Sequence, residues 1–247
     1  MSHGLPDGRG LDLGCGDGLL TRIVLEKVGS RTLVGIDPDP AEAAQARELG
    51  IYAAVHVAPG DQVPEPDGSF DWVLSNSVLE HIPAIEPVLA EVARLLRNGG
   101  VFILTVPGPG FHDALRGPLL PGASRSDYLR HLDHRLAHHR YWGPDDWRRE
   151  LAPHGLRVVG ATGYMDRRQV ERWESISRFT AGVLYGLSAR RRQPIEIQRG
   201  LGLRKQGRRM PGLVARRLAS ILAAGIDGDT PAADQDSACC LIEAVRG

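Results

Sequence analysis

Lysine is nearly missing from this chain of 247 residues: Lys27 and Lys205 stand alone, and arginine supplies the rest of the positive charge. There is no net charge either, with 30 basic residues against 30 acidic ones, so no overall field exists to gather nucleic acid. Cysteine is scarce. Cys15, Cys239 and Cys240 form neither a C-x-x-C pair nor a secreted disulfide framework, which makes a reduced compartment the expectation. No window reaches the roughly 18 apolar residues of a membrane-spanning helix, and the first residues lack the apolar core of a signal peptide. A cytoplasmic location is expected on those grounds. Metal-site signatures are absent as well: the sequence has no H-E-x-x-H and no paired cysteine ligands.

What is present is concentrated near the start. Leu11-Asp12-Leu13-Gly14-Cys15-Gly16-Asp17-Gly18 runs an apolar stub with one acid into three alternating glycines, and Leu19-Leu20-Thr21-Arg22-Ile23-Val24 follows with helical spacing. The spacing predicts a buried strand, a tight turn and a helix start, with glycines where backbone N–H groups must meet a ligand directly. Asp12, at the strand end, is placed to accept from a cationic or amine group held over the turn. Leu20 occupies the place of the third glycine in a dinucleotide fingerprint, which favours a smaller nucleoside. Cys15 inside the turn reads as a packing residue. The next strand, Arg31 to Asp37, ends in an acid about 20 residues on, where a carboxylate can grip both hydroxyls of a ribose. Pro38 stops that strand.

Four blocks together resemble one family. Leu11 to Gly18, Val34-Gly35-Ile36-Asp37, Ser69 to Ile82 and Leu95-Leu96-Arg97-Asn98-Gly99-Gly100-Val101-Phe102 are similar, in that order, to the class I S-adenosylmethionine-dependent methyltransferases, type 11 branch. The resemblance implies an α/β fold, a Rossmann-like doubly wound sheet of seven strands, the last antiparallel; this chain adds a helical insertion before the C-terminal strand, where the family commonly has a simple hairpin. One domain is expected over 1–247, with a cofactor core at 9–107 and, where the resemblance ends, substrate or lid insertions at 108–142 and 164–236. The resemblance also implies S-adenosyl-L-methionine as cofactor. Asp12, Gly14, Cys15 and Gly16 would serve its methionine part with Asn76 and Ser77, and Asp37 and Pro38 its ribose. Pro59-Gly60 replaces the family's Asp-Ala, so the adenine contact passes to Asp61 or Gln62. No Asn/Asp-Pro-Pro-Tyr/Phe block follows the fourth strand, which argues against nucleic-acid methylation.

Coarser elements fill the remainder. Strands are expected at Ile51–Ala58, Phe70–Ser75, Val101–Val106, Leu156–Thr162 and 237–245. Ala84–Arg97 reads as an amphipathic helix, closed by Asn98-Gly99-Gly100 as a glycine cap. Phe111 to Tyr141 reads as loop-like and rich in histidine. On a helix, His131, His134 and His138 would share a face; no metal is expected there, given the flanking arginines. His81 is the candidate base near neutral pH, with a turn-stabilising role as its alternative. His138, His139 and Tyr141 are the candidates on the acceptor side.

Two apolar helical faces mark the last insertion: Trp173, Ile176, Phe179, Val183, Leu184 and Leu187, then Leu213, Val214, Leu218, Ile221 and Leu222. Between Arg190 and Arg217 ten Arg or Lys stand against Glu196 alone, a candidate contact for an anionic membrane or a lipid-linked acceptor. The expected function is methyl transfer to a small-molecule acceptor, at oxygen, in bacterial secondary-metabolite or glycan and lipid-linked biosynthesis. The alternative is a protein that binds the cofactor without methyl transfer, cyclase-like or regulatory.

Overall fold

The structure is a computed structural model and describes residues 5–118, 122–178 and 237–247. Seven strands form one sheet: β1 (Arg9–Leu13), β2 (Thr32–Asp37), β3 (Ala54–Val57), β4 (Phe70–Asn76), β5 (Leu96–Pro107), β6 (Leu156–Tyr164) and β7 (Cys239–Arg246). Their order is β3-β2-β1-β4-β5-β7-β6. The first five are parallel, while β7 runs antiparallel between β5 and β6. The chain reverses direction across the sheet at β1, where it first moves out to β2 and β3 and then returns to β4. Ligands of open α/β sheets bind beyond the strand ends at such a point.

Both faces of the sheet are covered, so its central strands read as continuous apolar runs. From Trp72 on, β4 alternates: Trp72 and Leu74 meet Leu25, Leu33 and Ile103 on one side, while Val73 joins Leu11, Leu13 and Leu104 on the other. Seven helices flank the sheet among the described residues: α1 (Leu19–Val28), α2 (Pro40–Glu48), α3 (Glu86–Leu95), α4 (Phe111–Ala114), α5 (Arg125–Leu136), α6 (Pro144–Leu151) and α7 (Arg167–Ser177). Gly10 lets the buried indole of Trp72 cross β1, since a Cβ there would stand 2.1 Å from the ring.

Four expectations change. The third strand starts at Ala54, not Ile51, because Tyr52 turns under the sheet end to reach Asp12. The α3 helix stops at Leu95; Leu96 is already extended and pairs beside Phe70. Residues 97–100 are therefore a bulge within β5, with Trp72 next pairing Val101, rather than a helix cap. Burial decides this: Leu96 is fully enclosed, and sheet pairing at Phe70 holds it there. The stretch read as loop-like contains α4 and α5, the latter capped by Ser124, whose Oγ accepts from the Asp127 N–H. Finally, α5 ends at Ala137 in left-handed conformation, so His138 leaves the helix and the face with His131 and His134 does not form. Of the last insertion, Trp173 and Ile176 fall on α7; Phe179 onward, both apolar faces there and the basic stretch 190–217 lie outside the described residues.

Candidate functional site

A cavity of about 570 Å³ opens over the carboxyl ends of β1, β2 and β4. Its floor is the glycine turn after β1. Gly14 and Cys15 both donate to the Ile36 carbonyl at 2.9 Å, and Gly16 N–H donates to Asp37 Oδ2 at 2.9 Å. The turn is thus fastened to β2 before any ligand arrives. Gly16 sits at φ +53°, and a Cβ there would meet nothing nearer than Glu42 at 3.8 Å. Its open side is the cavity.

Gly14, Gly16, Asp37, Pro38, Asp61, Ser77 and His81 all line this space. Asp37 also accepts from the Asp39 N–H through Oδ1 at 2.9 Å. A carboxylate has about four acceptor positions, so capacity remains for a sugar hydroxyl. Sequence reasoning missed Asp17 and Glu42, which line the cavity too. Asp17 Oδ1 accepts from Leu19 N–H at the start of α1, and Glu42 lies in the first turn of α2. From sequence alone both look like ordinary acids at helix starts. With Asp37 and Asp61 they make four carboxylates in a cavity lined, among the described residues, by no Lys or Arg.

Four expected contacts are not brought there. Asp12 lies beneath the turn, 2% exposed, and its Oδ2 accepts from Thr21 Oγ1 and Tyr52 Oη, each at 2.6 Å. Burial raises its pKa against those two bonds. Cys15 is buried with Ala43, Ala46 and Val55, as a packing residue. Gln62 is outside the lining, and its N–H donates to the Pro59 carbonyl. Asn76 turns instead to the sheet, where Oδ1 accepts from Thr105 Oγ1 at 2.6 Å. The Asp12 and Asn76 side chains each satisfy a local polar group that spacing cannot show.

One end of the cavity meets a second polar group. His81, 40% exposed at the side chain, places Nδ1 3.2 Å from the Ala137 carbonyl, and burial holds its pKa below the ordinary value. Glu80 is buried beside it, hydrogen-bonded to Ser77, and burial pushes its carboxyl up to about 7. The His138 ring lies 5.0 Å from that of His81; burial, then the charge of His81, take its pKa down to about 4. Tyr141 Oη donates to Asp133 Oδ1 at 2.5 Å, where His112 Nε2 also lies at 2.8 Å. Phe111 stacks on Tyr141 with ring centroids 5.7 Å apart. Of the three acceptor-side candidates, His138 and Tyr141 therefore share this cluster. His139 does not: its backbone N–H holds the Glu80 carbonyl at 2.8 Å and its side chain is exposed. His112 escaped the sequence reading, since nothing in its spacing points to Asp133.

Comparison with known proteins agrees with this architecture. Residues 11–104 match the family model described as a methyltransferase domain. The ubiquinone biosynthesis O-methyltransferase of Agrobacterium fabrum is 28% identical over 173 residues, 67% of this chain and 66% of that protein. The nocamycin O-methyltransferase of Saccharothrix syringae is 40% identical over 121 residues, 46% and 43% of the two chains. The crystal structure of the [4+2]-cyclase SpnF superimposes with a TM-score of 0.59 at 18% identity, covering 99% of this chain and 77% of that one; it shows the fold. The chain spans at most about two thirds of the length of these curated relatives. Over residues 11–104 the chain matches the type 11 methyltransferase domain of the class I S-adenosylmethionine-dependent family, whose cofactor is S-adenosylmethionine.

Proposed function

We infer that the protein transfers the sulfonium methyl of S-adenosylmethionine to an oxygen of a small-molecule acceptor. The observation that carries this is the acidic cavity over the glycine turn. Asp17, Asp37, Glu42 and Asp61 surround a space that suits a ligand bearing sulfonium and ammonium charges, and disfavours the pyrophosphate of a dinucleotide. In this reading the Gly14–Gly16 backbone and Asp17 hold the methionine part, Asp37 and Glu42 the ribose, and Asp61 the adenine. Ser77 and His81 then stand on the acceptor side.

The chemistry is an in-line displacement. The acceptor oxygen bonds the methyl carbon, the carbon–sulfur bond breaks, and a neutral thioether leaves. Holding the two reactants at near-attack distance supplies much of the rate. If the acceptor is a hydroxyl it must also lose its proton, and His81, in the cavity lining, is the proposed group to take it. The O-methyltransferase names of the two curated relatives support oxygen as the target. Biosynthesis of secondary metabolites or of glycan- and lipid-linked compounds is the proposed setting. The ten basic residues within 190–217 support contact with an anionic membrane or lipid-linked acceptor.

Methyl-labelled cofactor incubated with host extract is the test. Label is expected in an extractable small molecule, and its position identifies the atom methylated. Cofactor that binds tightly while no label moves would overturn methyl transfer and favour a cofactor-binding protein without turnover.

A further inference from the structure

The methyl-transfer reading leaves one cluster at the cavity mouth without a full role. Glu80 and His81 follow β4, and His138 follows α5; one ligating atom from each lies within 4.8 Å of the other two. Hydrogen bonds determine what these groups present. The Ala137 carbonyl 3.2 Å from His81 Nδ1 can only accept, so Nδ1 carries the proton and Nε2 keeps its lone pair. Tyr141 uses its one hydroxyl proton on Asp133. His138 Nδ1, 3.0 Å from that phenol oxygen, is therefore the donor of the pair, and its Nε2 also keeps a lone pair.

Glu80 completes the set. It is 1% exposed, and its Oε2 has no hydrogen-bond partner among the described residues. The Arg140 guanidinium beside it directs its donors to the carbonyls of Leu79 and Pro83. With Glu80 ionised, two imidazoles and a carboxylate share one corner with no N–H or O–H between them, and a buried acceptor without a partner is costly. A cation among them removes that cost.

The geometry points to a divalent transition-metal site of the zinc class at Glu80, His81 and His138. Two neutral histidines and one glutamate are the ligand set of zinc sites that keep a further position open. Here His81 also lines the cofactor cavity, so the open position faces the reacting groups. The second nitrogen of each ring is anchored, on a carbonyl in one case and on a Tyr–Asp pair in the other. Such anchoring orients ligating histidines and sets their tautomer. This site rests on the methyl-transfer reading for its purpose. It binds the oxygen of a hydroxylated acceptor and eases loss of its proton to water, after which that oxygen takes the methyl and the sulfonium becomes a thioether. His81 then acts as a ligand in place of a base.

The test uses the full chain, stripped with chelator and titrated with Zn2+ and separately with Mn2+. Metal retained per chain is measured after gel filtration. One Zn2+ per chain is expected. Glu80→Gln and His138→Ala should each abolish retention while the fold and cofactor binding, followed by circular dichroism and calorimetry, persist. His139→Ala, on the exposed neighbour, should keep the ion. Tyr141→Phe, which removes the oxygen anchoring His138, should weaken binding about ten- to a hundredfold. Failure of the wild type to retain either ion overturns the site, as does retention that neither Glu80→Gln nor His138→Ala reduces. Full-rate methyl transfer by stripped protein overturns it too and leaves the enzyme reading intact. Retained zinc that depends on Glu80 and His138, with no methyl transfer to any hydroxylated compound, supports the site and sinks the enzyme reading instead.

Discussion

Asp37 accepts two backbone N–H groups, one from the glycine turn and one from the approach to α2, while still facing the cavity. Its removal therefore costs a ribose contact and slackens the turn. A charge-assisted bond is worth about 1.5–3 kcal/mol, so Asp37→Ala should weaken S-adenosylmethionine binding roughly ten- to a hundredfold in calorimetry. Wild-type affinity in a folded variant would take Asp37 out of the site. Tyr52 makes a different kind of case, because it touches no ligand. Tyr52→Phe takes from the buried Asp12 one of its two hydroxyl donors, which should cost about 1–3 kcal/mol of stability. Thermal melts read that loss, and an unchanged midpoint would show that Asp12 does not depend on Tyr52. The place of Asp37 was visible in residue spacing, but the bonds of Asp12 were not. The chain announces Asp12 as an acid at a strand end, but only Thr21 and Tyr52, 9 and 40 residues away, show that its lone pairs are turned inward.

At the level of elements, arginines tie α3 and the β5 bulge to β4 and to the loop before it. Arg94 on α3 reaches Glu91 at 2.7 Å and Asp67 at 2.5 Å, and Arg97 in the β5 bulge reaches Asp71 at 2.5 Å. The Arg94 bond holds the Glu91 carboxyl below its usual 4.5. Asp71 is likewise held below its usual 3.8, by the Arg9 N–H and then by Arg97. Carboxylates with depressed folded-state values stabilise the fold above their unfolded values, and that contribution fades as pH falls through the folded ones. Unfolding free energy should accordingly decline as pH drops below about 4.5. Glu91→Gln should lower stability at neutral pH and flatten the decline. Denaturant titrations at pH 7 and pH 3.5 measure both effects; equal losses at the two values would mean that the Glu91 charge contributes nothing. Legibility at this scale was uneven. Helical spacing exposed α1 and the apolar face of α3, yet the end of α3 was misplaced because Leu96 answers to Phe70 across the sheet rather than to the glycines after it.

For the molecule as a whole, a cavity with four carboxylates and, among the described residues, no Lys or Arg in its lining should select ligands by charge. Saturating S-adenosylmethionine, at about 100 times its dissociation constant, should add about 2.7 kcal/mol to the unfolding free energy. That raises the melting midpoint by roughly 5–10 °C for a chain of this size. Equal concentrations of NAD should leave the midpoint in place. A rise with NAD alone would contradict the nucleoside assignment. The sequence by itself determined the seven strands and the glycine turn, because these follow from short-range signals: apolar runs bounded by turn residues, backbone freedom at three glycines, and acids where strands end. It also determined the cofactor, through blocks that lie close together in the chain. Only the tertiary structure decided which polar side chains look into the cavity and which look away. It turned Asp12 and Asn76 inward, added Asp17 and Glu42, and swung His138 off its helix toward Glu80 and His81. Those outcomes depend on partners dozens of residues distant, and a buried polar group turns to whichever partner folding places within reach.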